Sequence, residues 1–249
     1  MNKPGVLFLT LLLALTSQAV FARAADKTIT FAVDANYPPM EYIDSGNRIV
    51  GFSIDYFTAV CRESGLTAEF KQVDWDHIFK GLDQGEYDVV MSSVTITRER
   101  RQKMDFTIPY YVVRQSLVVP AASELNNIRQ LKDRRVGTQA GTTATDIVEG
   151  IPGAVSSTYE SPGEAIAALA KGEVDAVVCE DMVGAAFVSD PAYAGKLKTA
   201  SVINTPGAEE IYAAAVRKNN LEVLIALNEG IKAVKAKGID GELRRKWFK

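Results

Sequence analysis

Residues 87–95 read Tyr87-Asp88-Val89-Val90-Met91-Ser92-Ser93-Val94-Thr95, and this stretch decides the fold. Its apolar run over residues 89–92 is typical of a buried β-strand, and small hydroxyl side chains stand at and just after the end of that run. In open α/β sheets, ligands bind beyond the carboxyl ends of the strands. We therefore take Ser92, Ser93 and Thr95 as candidate binding residues.

The same alternation of short apolar runs and helical patterns extends along the chain. Strand-like runs cover residues 29–33, 68–73, 89–92, 116–119, 136–139, 174–179 and 211–216, and helix-like segments cover residues 54–64, 78–82, 143–148, 164–171 and 221–237. Strands that alternate with helices over short connections favour βαβ units, in which both faces of the sheet are covered. The sequence therefore predicts an α/β fold with mostly parallel sheets.

Two similar blocks, which open with the runs at residues 29–33 and 135–139, indicate two lobes rather than one sheet. The segments that follow strands in these blocks are residues 34–37, 92–95, 140–143 and 180–181. We expect the ligand site to lie among them.

Composition and charge exclude several function classes. The chain has 249 residues, with 28 Lys plus Arg against 31 Asp plus Glu, and a net charge of −3. With no block of like charges, a nucleic acid has no basic surface to bind. A single histidine, His77, and two cysteines cannot supply a zinc site with the usual spacing, so we expect no metal and no cofactor.

The first 24 residues have the pattern of a signal peptide. Lys3 precedes an apolar run over residues 6–15, and Ala22-Arg23-Ala24 provides the small residues that signal peptidase accepts. The run is shorter than the ~20 residues that a membrane-spanning helix needs. We predict cleavage after Ala24 and, since no cysteine for a lipid anchor lies near that site, export to the periplasm.

Export would expose Cys61 and Cys179 to an oxidising compartment, where a disulfide is possible. Cys61 lies in an amphipathic helical segment and Cys179 ends an apolar strand. Free cysteines are commonly buried as small hydrophobic residues, so we expect two separate thiols.

Several motifs along the chain carry a family resemblance. They are Asp34-Ala35-Asn36-Tyr37-Pro38-Pro39-Met40, Gly51-Phe52-Ser53-Ile54-Asp55, the stretch over residues 87–100, Asp105-Phe106-Thr107-Ile108-Pro109-Tyr110-Tyr111 and Gly141-Thr142-Thr143. In this order, from about residue 27 to Trp247-Phe248, they resemble the periplasmic polar amino-acid-binding proteins of ABC transporters, solute-binding family 3.

The resemblance implies a hinged, two-lobe periplasmic-binding-protein architecture whose first lobe is discontinuous. Lobe one would comprise residues 25–113 and 204–249, and lobe two residues 114–203. It also implies a monomer that binds a free amino acid and delivers it to the membrane permease of an ABC transporter. The absence of the usual nucleotide, hydrolase and metalloprotease motifs favours a binding protein over an enzyme.

An amino acid presents a carboxylate and an ammonium group, and burying either without a partner costs several kcal/mol. Arg100 is the candidate for binding the carboxylate, because it follows Thr95 at the spacing of the family's carboxylate-binding arginine. The alternative is a solvated surface arginine beside Arg98 and Arg101. Ser93 and Thr95 match main-chain and hydroxyl contacts of the family, with Ser93 in place of the common glycine.

Lobe two would approach the ligand from the opposite side. Thr142 and Thr143 open a helix whose amide groups can face an anion, although Thr142 also suits an ordinary N-cap. Glu180 takes the place of the family's aspartate that accepts from the ligand ammonium. Asp181 is the alternative if the register differs by one residue.

The side chain of the ligand would lie near Asp34, Ser92 and two aromatic side chains, Tyr37 and Trp75, which match the aromatic walls of the family. One negative charge between aromatic faces favours arginine or lysine, with glutamine next and glutamate disfavoured. An inward-facing Arg114 would offset Asp34.

Two other functions remain open at the level of sequence. Periplasmic cyclohexadienyl dehydratases resemble this family, and Glu180 or Asp34 would then act as the general acid. A sensor module for a membrane receptor is the other, although no transmembrane segment or further domain follows in the sequence.

Overall fold

A computed structural model describes residues 27–204 and 209–248. The predicted signal peptide, residues 1–24, lies outside the described residues. The strands are β1 (Lys27–Val33), β2 (Asn36–Tyr37), β3 (Glu41–Ile43), β4 (Ile49–Val50), β5 (Leu66–Gln72), β6 (Val89–Val90), β7 (Met104–Phe106), β8 (Tyr111–Pro120), β9 (Arg135–Gln139), β10 (Val155–Tyr159), β11 (Ala176–Glu180), β12 (Leu197–Val202), β13 (Glu209–Tyr212) and β14 (Ala215–Arg217). The helices are α1 (Phe52–Glu63), α2 (Trp75–Gln84), α3 (Arg98–Lys103), α4 (Thr143–Glu149), α5 (Pro162–Lys171), α6 (Asp181–Ser189), α7 (Leu221–Ala236) and α8 (Ile239–Trp247).

The first sheet has the strand order β5-β1-β6-β14-β7. β5, β1 and β6 run parallel, whereas β14 pairs antiparallel with both β6 and β7. Because β14 comes from the C-terminal part of the chain, two separate segments build this sheet. We call the first sheet, with α1, α2, α3, α7 and α8, lobe one.

Successive residues of β1 face opposite sides of this sheet, as the period of a strand requires. Phe31 packs in a buried cluster with Phe57 of α1 and Leu227 of α7. Its neighbour Ala32 packs in another cluster with Ile78 of α2. Helices therefore cover both faces, which explains why the apolar run of β1 is nearly continuous.

The second sheet has the order β10-β9-β11-β8-β12, with β13 also paired to β8. Val178 of β11 packs in a cluster with Val148 of α4, whereas its neighbour Val177 packs with Ile166 of α5. This sheet is likewise covered on both faces, and we call it, with α4, α5 and α6, lobe two.

Two antiparallel strands connect the lobes. The first half of β8 pairs with β13, from Tyr111 opposite Tyr212 to Arg114 opposite Glu209. The second half of β8 belongs to the second sheet, where it pairs with β11 and β12. The ten-residue strand β8 therefore runs without a break from the connection between the lobes into the sheet of lobe two.

The predicted single strand over residues 211–216 is wrong, because the structure divides it between β13 and β14. β13 pairs with β8 in the connection, and β14 pairs with β6 and β7 in lobe one. Between them, the Ala214 carbonyl accepts a hydrogen bond from the amide of Thr107 at 2.9 Å. An apolar run cannot reveal this division, since no polar residue marks the point where β13 ends and β14 begins.

The predicted α/β class is confirmed. Each main sheet is mixed, because β8 and β14 enter their sheets from the connection. The first sheet has two parallel and two antiparallel pairs, and the second has two parallel and three antiparallel pairs. The chain also forms elements that the periodicity does not reveal, among them α3, α6 and α8. The residue boundaries given above for the two lobes stay a prediction.

Cys61 lies buried in α1 and Cys179 buried in β11, and both are free thiols, as expected. Among the described residues, no group of His, Cys, Asp and Glu side chains could hold a metal ion. Across residues 27–204 and 209–248, no helix is long and apolar enough to span a bilayer.

Candidate functional site

The predicted site residues lie where strands of both sheets end and the lobes meet. They are Asp34, Tyr37, Trp75, Ser92, Ser93, Thr95, Arg100, Thr142, Thr143 and Glu180. All are buried except Trp75, Arg100 and Thr143, which are partly exposed. Buried polar side chains need partners, so their hydrogen bonds show how the site is organised.

Arg100 bridges the two lobes. Thr97 caps α3 by accepting a hydrogen bond from the Arg100 amide at 3.1 Å, and this cap fixes the start of the helix. The guanidinium donates from Nη1 to the Thr95 carbonyl at 3.0 Å and from Nη2 to the Gly141 carbonyl at 3.2 Å. These bonds use two of its five N–H donors, so the planar group can still bind a carboxylate.

The neighbours of Arg100 in sequence behave differently, since Arg98 and Arg101 are exposed on α3. Burial lowers the pKa of Arg100, and the nearby carboxylate of Glu210 opposes that effect. The surface-arginine alternative therefore fits Arg98 and Arg101, but not Arg100.

Two aromatic rings hold the guanidinium of Arg100. Its Cζ atom lies 5.4 Å from the ring centroid of Trp75 and 5.1 Å from that of Phe79. The two rings pack edge to face, and the Trp75 Nε1 group donates to the Gly141 carbonyl at 3.4 Å. Such stacking orients the fork of an arginine. Sequence reasoning missed Phe79, which lies four residues after Trp75 and thus on the same helix face.

Asp34 directly follows β1 and joins the lobes in a second place. Its Oδ1 atom accepts a hydrogen bond from Asn36 Nδ2 at 2.6 Å, and its Oδ2 atom accepts one from Gln139 Nε2 of lobe two at 3.2 Å. The Asp34 amide donates to Ser92 Oγ at 2.9 Å, so Ser92 positions the turn. Burial raises the pKa of Asp34, and the hydrogen bonds from Asn36 and Gln139 oppose this.

Glu180 is the last residue of β11 and is buried. Its Oε2 atom has no hydrogen-bond partner within the described residues. Burial, and then the charge of Glu210, raise the pKa of Glu180 to about 7, while hydrogen bonding from Tyr37 opposes the rise. Asp181, the alternative in register, instead accepts a hydrogen bond from the Met182 amide at 2.8 Å.

The two threonines of lobe two have different roles. Thr142 donates from its hydroxyl to the Gln139 carbonyl at 2.8 Å and makes no side-chain cap on the short helix α4. Thr143 donates from its hydroxyl to Glu210 Oε1 at 2.5 Å. Of these two threonines, Thr143 therefore contacts a charged group, whereas Thr142 contacts a main-chain carbonyl.

Glu210 is a site residue that the sequence reasoning missed. It lies on β13 with 3% exposure, and it accepts hydrogen bonds from the side chains of Thr95, Gln115 and Thr143. The neighbouring Ile211 is exposed whereas Tyr212 is buried, as alternation along a strand requires. That alternation, applied from Tyr212 back to Glu210, is the signal that could have identified it.

Ser93 and Glu41 form a buried polar layer in lobe one. Ser93 has a φ of +46°, the left-handed conformation that glycine adopts without strain, which accounts for the glycine common in the family there. Glu41 is completely buried, and burial raises its pKa to about 8, although Ser93 and Ser53 oppose the shift. Glu41 is therefore protonated at neutral pH.

Comparison with known proteins gives a family match over nearly all of the described chain. Residues 29–249 match the sequence model of the bacterial extracellular solute-binding proteins, family 3. An ABC transporter arginine-binding protein of Escherichia coli (strain K12) is 30% identical over 238 residues, which cover 95% of this chain and 97% of that protein.

Solved structures give the same result. An ancestral arginine-binding protein bound to arginine has a TM-score of 0.82 and 32% identity, and covers 89% of this chain and 98% of its own. The glutamine-bound form has a TM-score of 0.83 and 32% identity, and covers 90% of this chain and 99% of its own. An ancestral amino-acid-binding protein described as a precursor of cyclohexadienyl dehydratase has a TM-score of 0.79 and 32% identity. It covers 89% of this chain and 95% of its own. The predicted two-lobe architecture is thereby confirmed.

Proposed function

This chain belongs to the bacterial extracellular solute-binding proteins, family 3, and on that premise we propose that it binds a free polar amino acid, arginine or lysine in preference to glutamine. The observation that supports this most directly is the position of Arg100 between the lobes, beside buried carboxylates. An amino acid needs a fixed cation for its carboxylate and a fixed anion for its ammonium group. Arg100 supplies the first and Glu180 the second.

The preference among amino acids follows from Asp34. Its carboxylate is buried and accepts two hydrogen bonds from amides, which leave it further lone pairs for a ligand. A guanidinium or ammonium group at the end of the ligand would meet this negative charge. Arg114, which would offset Asp34 if it faced inward, is exposed on β8.

We further propose that the two lobes, residues 25–113 with 204–249 and residues 114–203, close on the ligand by a hinge at β8 and β13. The closed protein would then deliver the amino acid to an ABC permease as a monomer in the periplasm. Relatives that are binding proteins of ABC transporters support this role. Cleavage after Ala24 is part of the same proposal.

A thermal-unfolding screen with the twenty amino acids tests the proposal. A ligand present at 100 times its dissociation constant adds about 2.7 kcal/mol to the free energy of unfolding. We expect arginine or lysine to raise the melting temperature most, glutamine less, and glutamate not at all. A screen in which no amino acid shifts the transition would refute the function, and a maximal shift with glutamate or aspartate would refute the preference.

An enzymatic function on the same scaffold is the second candidate. The raised pKa of Glu180 favours it, since such a group suits a general acid. The structural neighbour that is described as a precursor of cyclohexadienyl dehydratase is itself an amino-acid-binding protein. The relatives that are named as binding proteins favour binding instead. Incubation with prephenate and with arogenate distinguishes the two, and we expect no turnover of either compound.

A further inference from the structure

Glu210 connects three parts of the molecule through one carboxylate. It receives hydrogen bonds from Thr95 of lobe one, from Thr143 Oγ1 of lobe two at 2.5 Å and from Gln115 Nε2 of β8 at 2.8 Å. Thr95 and Thr143 belong to different lobes. The carboxylate of Glu210 is therefore held by hydrogen bonds from both lobes and from the strand that connects them.

The charges around Glu210 are unbalanced. Glu180 lies opposite Gln115 where β11 pairs with β8, and Gln115 Nε2 donates to Glu210 Oε1 at 2.8 Å, so one glutamine lies next to both carboxylates. The charge of Glu210 contributes to the raised pKa of Glu180 and opposes the lowering of the pKa of Arg100 by burial. Arg100 can neutralise one of these carboxylates, or the carboxylate of a ligand, but not all of them. Two buried carboxylates that lie close together need a cation or a proton between them.

The neutral donors around Glu210 do not remove this imbalance. Thr95, Thr143 and Gln115 satisfy the oxygen atoms of Glu210, but they bring no positive charge. Glu180 still has an Oε2 atom without a partner among the described residues. A cationic group placed between the two carboxylates would complete the hydrogen bonding of Glu180 and balance the charge of Glu210.

We propose that Glu210 is a specificity-determining residue, which binds the α-ammonium group of the ligand together with Glu180 while Arg100 binds the α-carboxylate. This inference rests on the proposed function and goes beyond it, because it assigns the ammonium group to two carboxylates on different elements. A ligand without an α-ammonium group leaves both carboxylates uncompensated as the lobes close. The protein therefore discriminates against such ligands.

The test compares two ligands that differ only in the α-ammonium group, L-arginine and 5-guanidinopentanoate. Calorimetry on the wild-type protein should show arginine binding at least about 100-fold more tightly, since a buried charge without its partner costs about 2 to 5 kcal/mol. The variant Glu210→Gln should bind arginine about tenfold more weakly, or weaker still. The same variant should change the affinity for 5-guanidinopentanoate by less than about threefold.

Two further variants control for structural effects. Glu229→Gln, on the exposed part of α7, should change neither affinity. Glu210→Asp keeps the charge and should retain the preference for arginine over 5-guanidinopentanoate. This variant provides the test if Glu210→Gln does not fold.

The alternative outcomes separate this inference from the proposed function. If Glu210→Gln weakens both ligands by the same factor, Glu210 acts only through closure and the inference is wrong. If the variant binds both ligands more tightly, Glu210 instead competes with the ligand carboxylate, and the inference is again wrong. If the wild-type protein binds arginine but does not discriminate, only the inference fails. If the wild-type protein binds no amino acid, the proposed function fails and the inference with it.

Discussion

The cleft contains two groups of contacts that treat a buried carboxylate in opposite ways. In the Asp34 group, Asp34 accepts hydrogen bonds from the amide side chains of Asn36 and Gln139. In the Arg100 group, which consists of Thr95, Arg100, Thr143, Glu180 and Glu210, two carboxylates lie near one guanidinium. Both groups connect lobe one to lobe two.

The difference shows how each group depends on a ligand. Neutral amide donors within the protein stabilise the carboxylate of Asp34 and oppose the rise in its pKa that burial causes. The Arg100 group has an excess of negative charge and an unpartnered oxygen on Glu180 among the described residues. We therefore expect the Arg100 group to determine whether an amino acid binds, and the Asp34 group to determine which one.

The variant Arg100→Ala should give the largest effect. It removes the cation that binds the ligand carboxylate, and loss of one partner of a buried charge pair costs about 2 to 5 kcal/mol. Calorimetry should find no measurable binding of any amino acid. The exposed neighbour provides the control, because Arg101→Ala should bind as the wild type does. Unchanged affinity in Arg100→Ala would show that the Arg100 group does not bind the carboxylate.

A fourth buried carboxyl group, Glu41, extends the comparison to a site whose carboxyl oxygens have no hydrogen-bond partner among the described residues. Its pKa in the folded protein is about 8, above the ordinary value of 4.5, so it is neutral when folded. Its contribution to stability is full below about pH 4.5 and is lost as the pH rises toward 8.

The variant Glu41→Gln should not lose this contribution, since glutamine does not ionise. Thermal unfolding from pH 4 to pH 7 should show the variant gaining on the wild type by roughly 3 kcal/mol as the pH rises. The exposed Glu69→Gln should run parallel to the wild type at every pH. A constant difference between Glu41→Gln and the wild type would mean that Glu41 is ionised in the folded protein.

The variant Asp34→Asn tests the second half of the comparison. It removes one negative charge from the Asp34 group with little change in shape. Arginine should bind about tenfold more weakly, or about 1.4 kcal/mol, while glutamine should change less because its side chain is neutral. Asp74→Asn, at the exposed start of α2, is the control. Equal loss for both ligands would place the arginine side chain elsewhere.

We expect the smallest effect in a thiol titration, which tests whether a disulfide bond joins the two lobes. Cys61 lies in lobe one and Cys179 in lobe two, and burial raises the pKa of Cys61 to about 12 and raises that of Cys179 as well. The folded protein should therefore react slowly, and the unfolded, unreduced protein should show two free thiols. A count of zero would mean a disulfide between the lobes.

The sequence by itself determined the α/β class, the two blocks and the polar residues at the strand ends. These features follow from local chemistry, since strand and helix periods are read within a few residues and the carboxyl end of a strand is fixed by its direction. Asp34, Arg100 and Glu180 could be selected in this way. The family resemblance then ranked them above other charged residues.

Only the tertiary structure decided which residues share the cleft with them. Gln139 reaches Asp34 across the lobes, and Glu210 enters the site because β13 pairs with β8 instead of continuing into β14. Phe79 contacts Arg100 because α2 lies over the end of β6. Such contacts join residues that are far apart in the chain, and they depend on strand pairing and lobe closure. A local pattern carries no information on either, so the sequence could supply the chemistry of the site but not its full membership.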